Sequence, residues 1–304
     1  MRILITGASG FIGRALSAEL LARGHEVSAL VRRAGSEPRG SAAVAGDLSN
    51  GPRLTETLRE AQPECVVHLA AEIASQRSAA KVQEVNVAGT QRLIEACRAL
   101  DGAEGLPRIV FASTVVTGDA RGALLSEDEP LPVSTPYGRS KQEGERLVLE
   151  SGLEAVVMRP SHVYGPGGWY AQELVARLRQ PGRFAVIGRG ENLWDVVHVD
   201  DVVSALVLGI EEAPAGSTYH VADDQPISFY DFMALTAEEL GVGAPRRIPA
   251  FLARAIAGAN AVDAVIRSAR SSNAKIKAEL GWQPRFASAR EGVPDVIARL
   301  DAAR

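Results

Sequence analysis

Short runs of β-branched and aliphatic residues alternate along this chain with longer segments whose apolar positions recur every three or four residues. RILIT (2–6), EVSALV (26–31), CVVHLAA (65–71), RIVFAST (108–114), EAVVMRP (154–160) and STYHVAD (217–223) read as strands. Helical patterns begin near Gly10, Leu54, Val82, Tyr137 and Val199. This alternation predicts βαβ units, and hence an α/β fold with a doubly wound parallel sheet covered on both faces. Ligands of such sheets sit at the carboxyl ends of the strands. From Gly165 the alternation stops: GPGGWY (165–170) and GRGENLWD (188–195) are irregular, and the remainder is largely helical, closing in AELGWQPRF (278–286). A smaller lobe added to the sheet is expected there.

Composition narrows the partners. The chain has 304 residues, 46% of them hydrophobic, enough for one large core or a core with a lobe. Its 33 basic residues are scattered and the net charge is −4, which leaves no electrostatic footprint for nucleic acid or an anionic membrane. A small-molecule partner is favoured. No apolar run approaches the ~18 residues of a spanning helix, and the chain enters strand-like sequence at once, so no membrane segment or signal peptide is expected and the location is read as cytoplasmic. Cys65 and Cys97 lie in apolar stretches without ligand spacing, and read as buried thiols rather than a disulfide or metal site.

The chemistry starts at GASGFIG (7–13), which follows the first strand and opens the first helix. Gly7 can adopt the turn, Gly10 lets a pyrophosphate approach the main chain, and Gly13 lets helix and strand pack closely. Downstream, YGRSK (137–141) puts Tyr137 and Lys141 one helical turn apart on one face. A phenol beside an ammonium is a tunable acid, since the charge lowers the phenol's pKa toward neutrality. FAST (111–114) brings the hydroxyls of Ser113 and Thr114 to the same sheet edge, where one can donate to a substrate carbonyl.

In these features the chain resembles the extended short-chain dehydrogenase/reductases, the NAD-dependent epimerase/dehydratase family. TGASGFIG (6–13), GDL (46–48), VVHLAA (66–71), NVAGT (86–90), FAST (111–114), YGRSK (137–141), RPSHVYGPG (159–167), VVHVDDV (196–202) and ELGWQP (279–284) follow the family's order. The resemblance implies a Rossmann-type dinucleotide domain over 1–165 plus 196–222 and a substrate lobe over 166–195 plus 223–304. It implies that Gly7, Ser9, Gly10, Phe11, Ile12 and Gly13 hold the cofactor, with Asp47 and Leu48 beside the adenine. Leu69, Ala70 and Ala71 should line it, Asn86 should lie near the ribose, and Pro160 to Val163 should pass under the nicotinamide. Tyr137 and Lys141 take the catalytic pair. His198 and Asp200 are read as holding the lobes together. A homodimer is expected through segments 82–100 and 137–150, on the apolar residues Val82, Val85, Leu93, Leu147 and Val148.

Three departures refine the expectation. The second strand ends in Val31, where NAD users commonly carry a carboxylate, and Arg32 and Arg33 follow, so NADP(H) is preferred with NAD(H) possible. The stretch STVVTG (113–118) is one residue short: counting forward from the hydroxyl pair favours Thr114 as the catalytic hydroxyl, and counting back from Gly118 favours Ser113. Thr114 is the first choice. Val115 and Val116 stand where dehydratases carry Asp-Glu, which argues against dehydration. Finally, Trp194 replaces the arginine that meets a sugar nucleotide's diphosphate, and His162 replaces an asparagine. His162, Trp169, Trp194 and Arg270 (or Arg267) are then expected to line the substrate pocket. The expectation is NADPH-dependent reduction of a carbonyl, or the reverse oxidation of an alcohol. A sugar-nucleotide epimerase and a cofactor-binding regulatory protein remain as alternatives.

Overall fold

Seven parallel strands form the central sheet of the computed structural model, in the order Thr218–Val221, Ala155–Pro160, Arg108–Ala112, Cys65–His68, Arg2–Thr6, Glu26–Val31 and Ala42–Ala45. Residues 1–73, 78–100, 105–180, 185–257, 262 and 265–303 are described. The six strands expected from the sequence are all present. The seventh, Ala42–Ala45, lies at the sheet edge and escaped notice because alanine carries little strand signal. Chain order reverses between Arg2–Thr6 and Cys65–His68, which opens a crevice at their carboxyl ends.

Two apolar layers cover the sheet. On one face Leu16 and Leu20 of the helix Phe11–Ala22 and Val202 and Leu206 of Val199–Glu211 pack on Ile3, Ile5, Val67 and Val156. On the other, Leu54 and Leu58, Leu93 and Ile94, and Val148 from three helices pack on Leu4, Val66 and Val157. A third core gathers Tyr164, Tyr170, Trp194, Phe232 and Val293 from the later half. Ile276 and Trp282 do not join it; they return to the first core, so the segment around ELGWQP packs on the sheet rather than on the lobe to which position in the chain assigned it.

Of the apolar residues that suggested a dimer, three are buried within the chain. Val82, Leu93 and Val148 are buried, Leu147 packs against the second layer and Val85 faces a cavity. Of the five, Leu93, Val148 and Leu147 belong to the layer that covers the sheet.

The acidic pair of VVHVDDV divides its work. Asp201 accepts from the backbone N–H groups of Arg285 (2.5 Å) and Phe286 (3.2 Å), pinning the C-terminal segment. Asp200 pairs with Arg299 at 2.9 Å, and the buried His198 ring lies 4.4 Å from that of Phe286.

The helix Pro136–Leu149 is fixed at both ends. Thr135 caps it, its hydroxyl accepting from the Gly138 N–H at 2.9 Å, and proline occupies the first turn, where its missing N–H costs nothing. Gly138 is there because a Cβ would stand 2.7 Å from the Thr117 carbonyl oxygen. Further along, the Glu145 carboxylate grips Arg159 of the adjacent strand through two bonds of 2.9 and 2.7 Å, with both side chains largely buried. Glu145→Ala would leave the guanidinium buried without its counter-charge. It is expected to cost about 3–5 kcal/mol of unfolding free energy, measured by urea denaturation, with much of the loss recovered in a Glu145→Leu, Arg159→Met double variant.

Candidate active site

The crevice at the strand reversal is a cavity of about 1310 Å³ running from the end of Glu26–Val31 to the aromatic residues of the later half. Its floor is the first turn. Gly7 sits at φ +73°, and a Cβ there would lie 2.7 Å from the Ala70 nitrogen on the neighbouring strand end, so side chains are barred by both conformation and space. Gly10 precedes the helix in an extended conformation with no side-chain cap, leaving the first-turn N–H groups open to the cavity. A Cβ on Gly10 would meet only the Gly7 oxygen, at 3.1 Å. This cradle fits the pyrophosphate of a dinucleotide: bare backbone, unpaired donors and the positive end of a helix.

Thr6 and His68 end neighbouring strands in register, and the sequence reading assigned neither a role. Thr6 Oγ1 lies 2.6 Å from His68 Nδ1, and His68 Nε2 lies 2.9 Å from Thr90 Oγ1. The Thr90 hydroxyl donates to the Asn86 carbonyl at 2.6 Å. Burial and the charge of Lys141 push His68 down to about 3, so the ring is neutral and links the glycine turn to the helix behind it. Two polar residues at adjacent strand ends, beside the strand reversal, were the available signal.

Most of the expected cofactor residues line the cavity: Gly7, Ser9 to Gly13, Arg32, Arg33, Asp47, Leu48, Leu69 to Ala71, Pro160 and Val163. Asn86 does not. Its amide accepts from the Glu72 N–H (2.7 Å) and donates to the Glu72 carbonyl (3.0 Å) and to Ser140 Oγ (2.9 Å), so the group expected at the ribose is consumed in holding a loop to the helix of Tyr137. Arg32 and Arg33 are exposed and have no ion-pair partner among the described residues. Asp47 is held below the usual carboxylate range, chiefly by the Ser49 backbone N–H, with Arg32 adding to the effect.

Tyr137, Lys141, Ser113 and Thr114 all reach the same wall. Burial pushes Tyr137 up to about 12, and the nearby charge opposing that rise belongs to Arg267. The sequence had assigned this task to Lys141. Instead the Lys141 ammonium sits 4.2 Å above the centre of the Phe111 ring, and burial brings it down to about 8 against the pull of Glu145. The two hydroxyls differ sharply. Thr114 Oγ1 donates to the Pro160 carbonyl at 3.0 Å and accepts from the Val116 N–H at 2.9 Å, whereas Ser113 Oγ is buried without a partner. The first choice made from spacing, Thr114, is therefore the committed hydroxyl, and the free one is Ser113.

Across the cavity stand His162, Trp169, Trp194 and Arg267. The His162 and Trp194 rings stack at 4.1 Å with 4° between their planes. Trp169 lies 6.2 Å from Trp194, edge to face, and its indole N–H donates to the Val163 carbonyl at 2.8 Å. Arg270, expected here, donates instead to the Gly122 carbonyl at 3.0 Å, so among the described residues Arg267 supplies the positive charge of this wall.

The model of the NAD dependent epimerase/dehydratase family matches residues 3–222. The chain is similar to a 3-diazoavenalumate denitrifying reductase of a Streptomyces species, at 34% identity over 96% of this chain and 99% of the relative. It is 32% identical, over 84% of its length and 79% of the relative's, to the 4-hydroxy-2-methyl-3-oxo-4-farnesyl-3,4-dihydroquinoline-1-oxide ketoreductase of Stigmatella aurantiaca. Among solved structures, the UDP-glucose 4-epimerase of Thermus thermophilus in complex with NAD superimposes with a TM-score of 0.81 at 28% identity, covering 100% of both chains. With a nicotinamide-dinucleotide cradle at the strand reversal and a family model spanning most of its length, this chain belongs to the NAD-dependent epimerase/dehydratase family of enzymes.

Proposed function

We propose that the protein is an NADPH-dependent ketoreductase, reducing a carbonyl or, in reverse, oxidising an alcohol, with Tyr137 as the proton donor. The observation that carries this reading is the convergence of Tyr137, Lys141 and the unpartnered Ser113 hydroxyl on the cavity that the glycine turn opens. A reduced nicotinamide dinucleotide, when bound, supplies a hydride to the carbonyl carbon. Ser113 donates a hydrogen bond to the carbonyl oxygen and Tyr137 gives that oxygen its proton, so the negative charge never develops unopposed. Lys141 holds the ribose, and Arg267 is the cation whose charge acts on the phenol. The lobe built on Trp169, Tyr170, Trp194 and Phe232 is read as the substrate side, and the sheet domain as the cofactor side.

Relatives named as reductases and the missing acid pair at Val115 and Val116 support reduction over dehydration. Full-length similarity to a UDP-glucose 4-epimerase keeps epimerisation as the second reading, although Trp194 offers a diphosphate no charge. A homodimer rests on the family resemblance alone. No helix among the described residues is long and apolar enough to cross a membrane, and a cytoplasmic location remains the sequence-based reading.

Tyr137→Phe is expected to lower turnover by about 10²–10⁴ with cofactor affinity little changed, in an assay following nicotinamide absorbance with a panel of ketones. Ser113→Ala should lower the rate substantially more than Thr114→Val. Wild-type turnover in Tyr137→Phe with intact folding would show that another group donates the proton, and cofactor binding without turnover of any ketone by the wild type would favour a regulatory protein.

NADP(H) should bind more tightly than NAD(H), since Arg32 and Arg33 face the cavity unpaired. An Arg32→Ala, Arg33→Ala double variant should lose about 1.5–3 kcal/mol toward NADP(H) and little toward NAD(H). Equal NADP(H) affinity in both proteins would reduce the arginines to surface charge.

Lys141, held down to about 8, should titrate in the free protein near that pH. Ribose hydroxyls and phosphates favour its charged form, so its pKa in the complex lies higher. Between the two values binding takes up a proton, and affinity falls as pH rises through that window. Calorimetry in buffers of different ionisation enthalpy measures this uptake, which Lys141→Met should abolish.

A further inference from the structure

Arg267 brings a full charge to the cavity with no acid among the described residues to pair with it. Its Nη2 lies 2.6 Å from His162 Nε2, but that ring is neutral: burial, then the charge of Arg267 itself, push His162 down to about 3. His162 Nδ1 faces the Asp195 carbonyl at 2.9 Å, and a carbonyl only accepts, so the ring proton sits on Nδ1 and Nε2 offers Arg267 a lone pair without a charge. No carboxylate among the described residues lies within ion-pair distance of Arg267. Asp119, whose charge reaches it, is exposed, and its Oδ1 accepts from the Arg121 and Ser268 N–H groups, both at 2.9 Å. Behind the guanidinium, Val115, Val116 and Trp194 close a crevice of about 10 Å³, which holds one water at most. A guanidinium so placed is costly until an anion arrives.

We infer that Arg267 is the receptor for a carboxylate on the substrate, so that the compound reduced beside Tyr137 is an oxo acid with a flat apolar body. The inference rests on the ketoreductase reading and adds to it the class of substrate. The planar fork of a guanidinium matches a carboxylate with two parallel hydrogen bonds. The stacked rings of His162 and Trp194 present a flat surface beside it, and the Trp194 indole N–H is buried without a partner. A diphosphate fits less well, because among the described residues Arg267 is the single cation on this side; the other described cations lining the cavity are Lys141 and, after the second strand, Arg32 and Arg33.

The test is calorimetric titration of the NADP⁺-saturated protein with benzoylformate and cinnamate, each against its methyl ester. A ketone cannot be reduced in that complex, so binding is read without turnover. In the wild type both acids should bind about tenfold or more tightly than their esters. Arg267→Lys should keep part of that preference and Arg267→Met should abolish it. NADP⁺ affinity reports the folding of each variant; should Arg267→Met fail to bind NADP⁺, the reduced preference in Arg267→Lys decides. Equal binding of acid and ester, binding of neither acid, or an undiminished preference in the folded Arg267 variants overturns the inference. Tyr137→Phe should retain the preference in the same titration. If that variant also turned over normally, the ketoreductase mechanism would fail while the carboxylate receptor stood.

Discussion

One buried chain of hydrogen bonds joins the two halves of the candidate active site. It begins at Thr6, whose hydroxyl oxygen accepts from the Ala70 N–H at 3.2 Å and whose proton is directed at His68 Nδ1. It continues through His68 to Thr90, from the Thr90 hydroxyl to the Asn86 carbonyl, and from the Asn86 amide to Ser140. It ends where Ser140 Oγ donates to the Tyr137 carbonyl at 2.7 Å. Every member has a donor and an acceptor in the same sense only if His68 is neutral. Burial provides that condition, because a charged imidazole has no counter-ion there. The glycine turn that receives the dinucleotide and the helix that carries Tyr137 are thus held at a fixed separation without either touching the other.

This chain also explains which parts of the site could be read from the sequence. Strands, helix starts and the parallel sense of the sheet follow from local patterns, since alternating strands and helices build βαβ units. GASGFIG was legible because bare backbone at a strand end has one physical use there. Asn86 was not, because a side-chain amide is equally at home on a ribose or on a backbone loop, and only the positions of Glu72 and Ser140 decide between them. The hydroxyl ambiguity had the same origin. Ser113 and Thr114 are adjacent hydroxyls just past a strand end, both lining the cavity, and spacing cannot tell which of them the Pro160 carbonyl engages. Likewise Val82, Leu93 and Val148 carry an apolar signal that does not distinguish the protein's own sheet from a second copy.

The two walls of the cavity have different architectures. The cofactor side is made of strand ends and helix starts, whose geometry follows from backbone hydrogen bonding. The opposite side is made of aromatic rings on short elements: the strand His162–Tyr164, the helix start at Trp169 and the two-residue strand Leu193–Trp194. There, shape comes from side-chain packing: Trp194 against His162 on one side and Phe229, 4.4 Å away, on the other. The second wall is thus free to change with substrate while the first stays as it is.

Electrostatics couples the walls. With Lys141 drawn over Phe111, Arg267 is the cation that opposes the rise of the Tyr137 pKa from across the cavity. An anion bound at Arg267 would cancel part of that pull and leave the phenol more firmly protonated. For a proton donor that is the required state, since the phenol must keep its proton until the carbonyl oxygen takes on charge. Burial alone would make Tyr137 a poor acid, and Arg267 alone would bias it toward release. A substrate that neutralised Arg267 as it docked would leave release of the phenol's proton to the charge developing on its own oxygen.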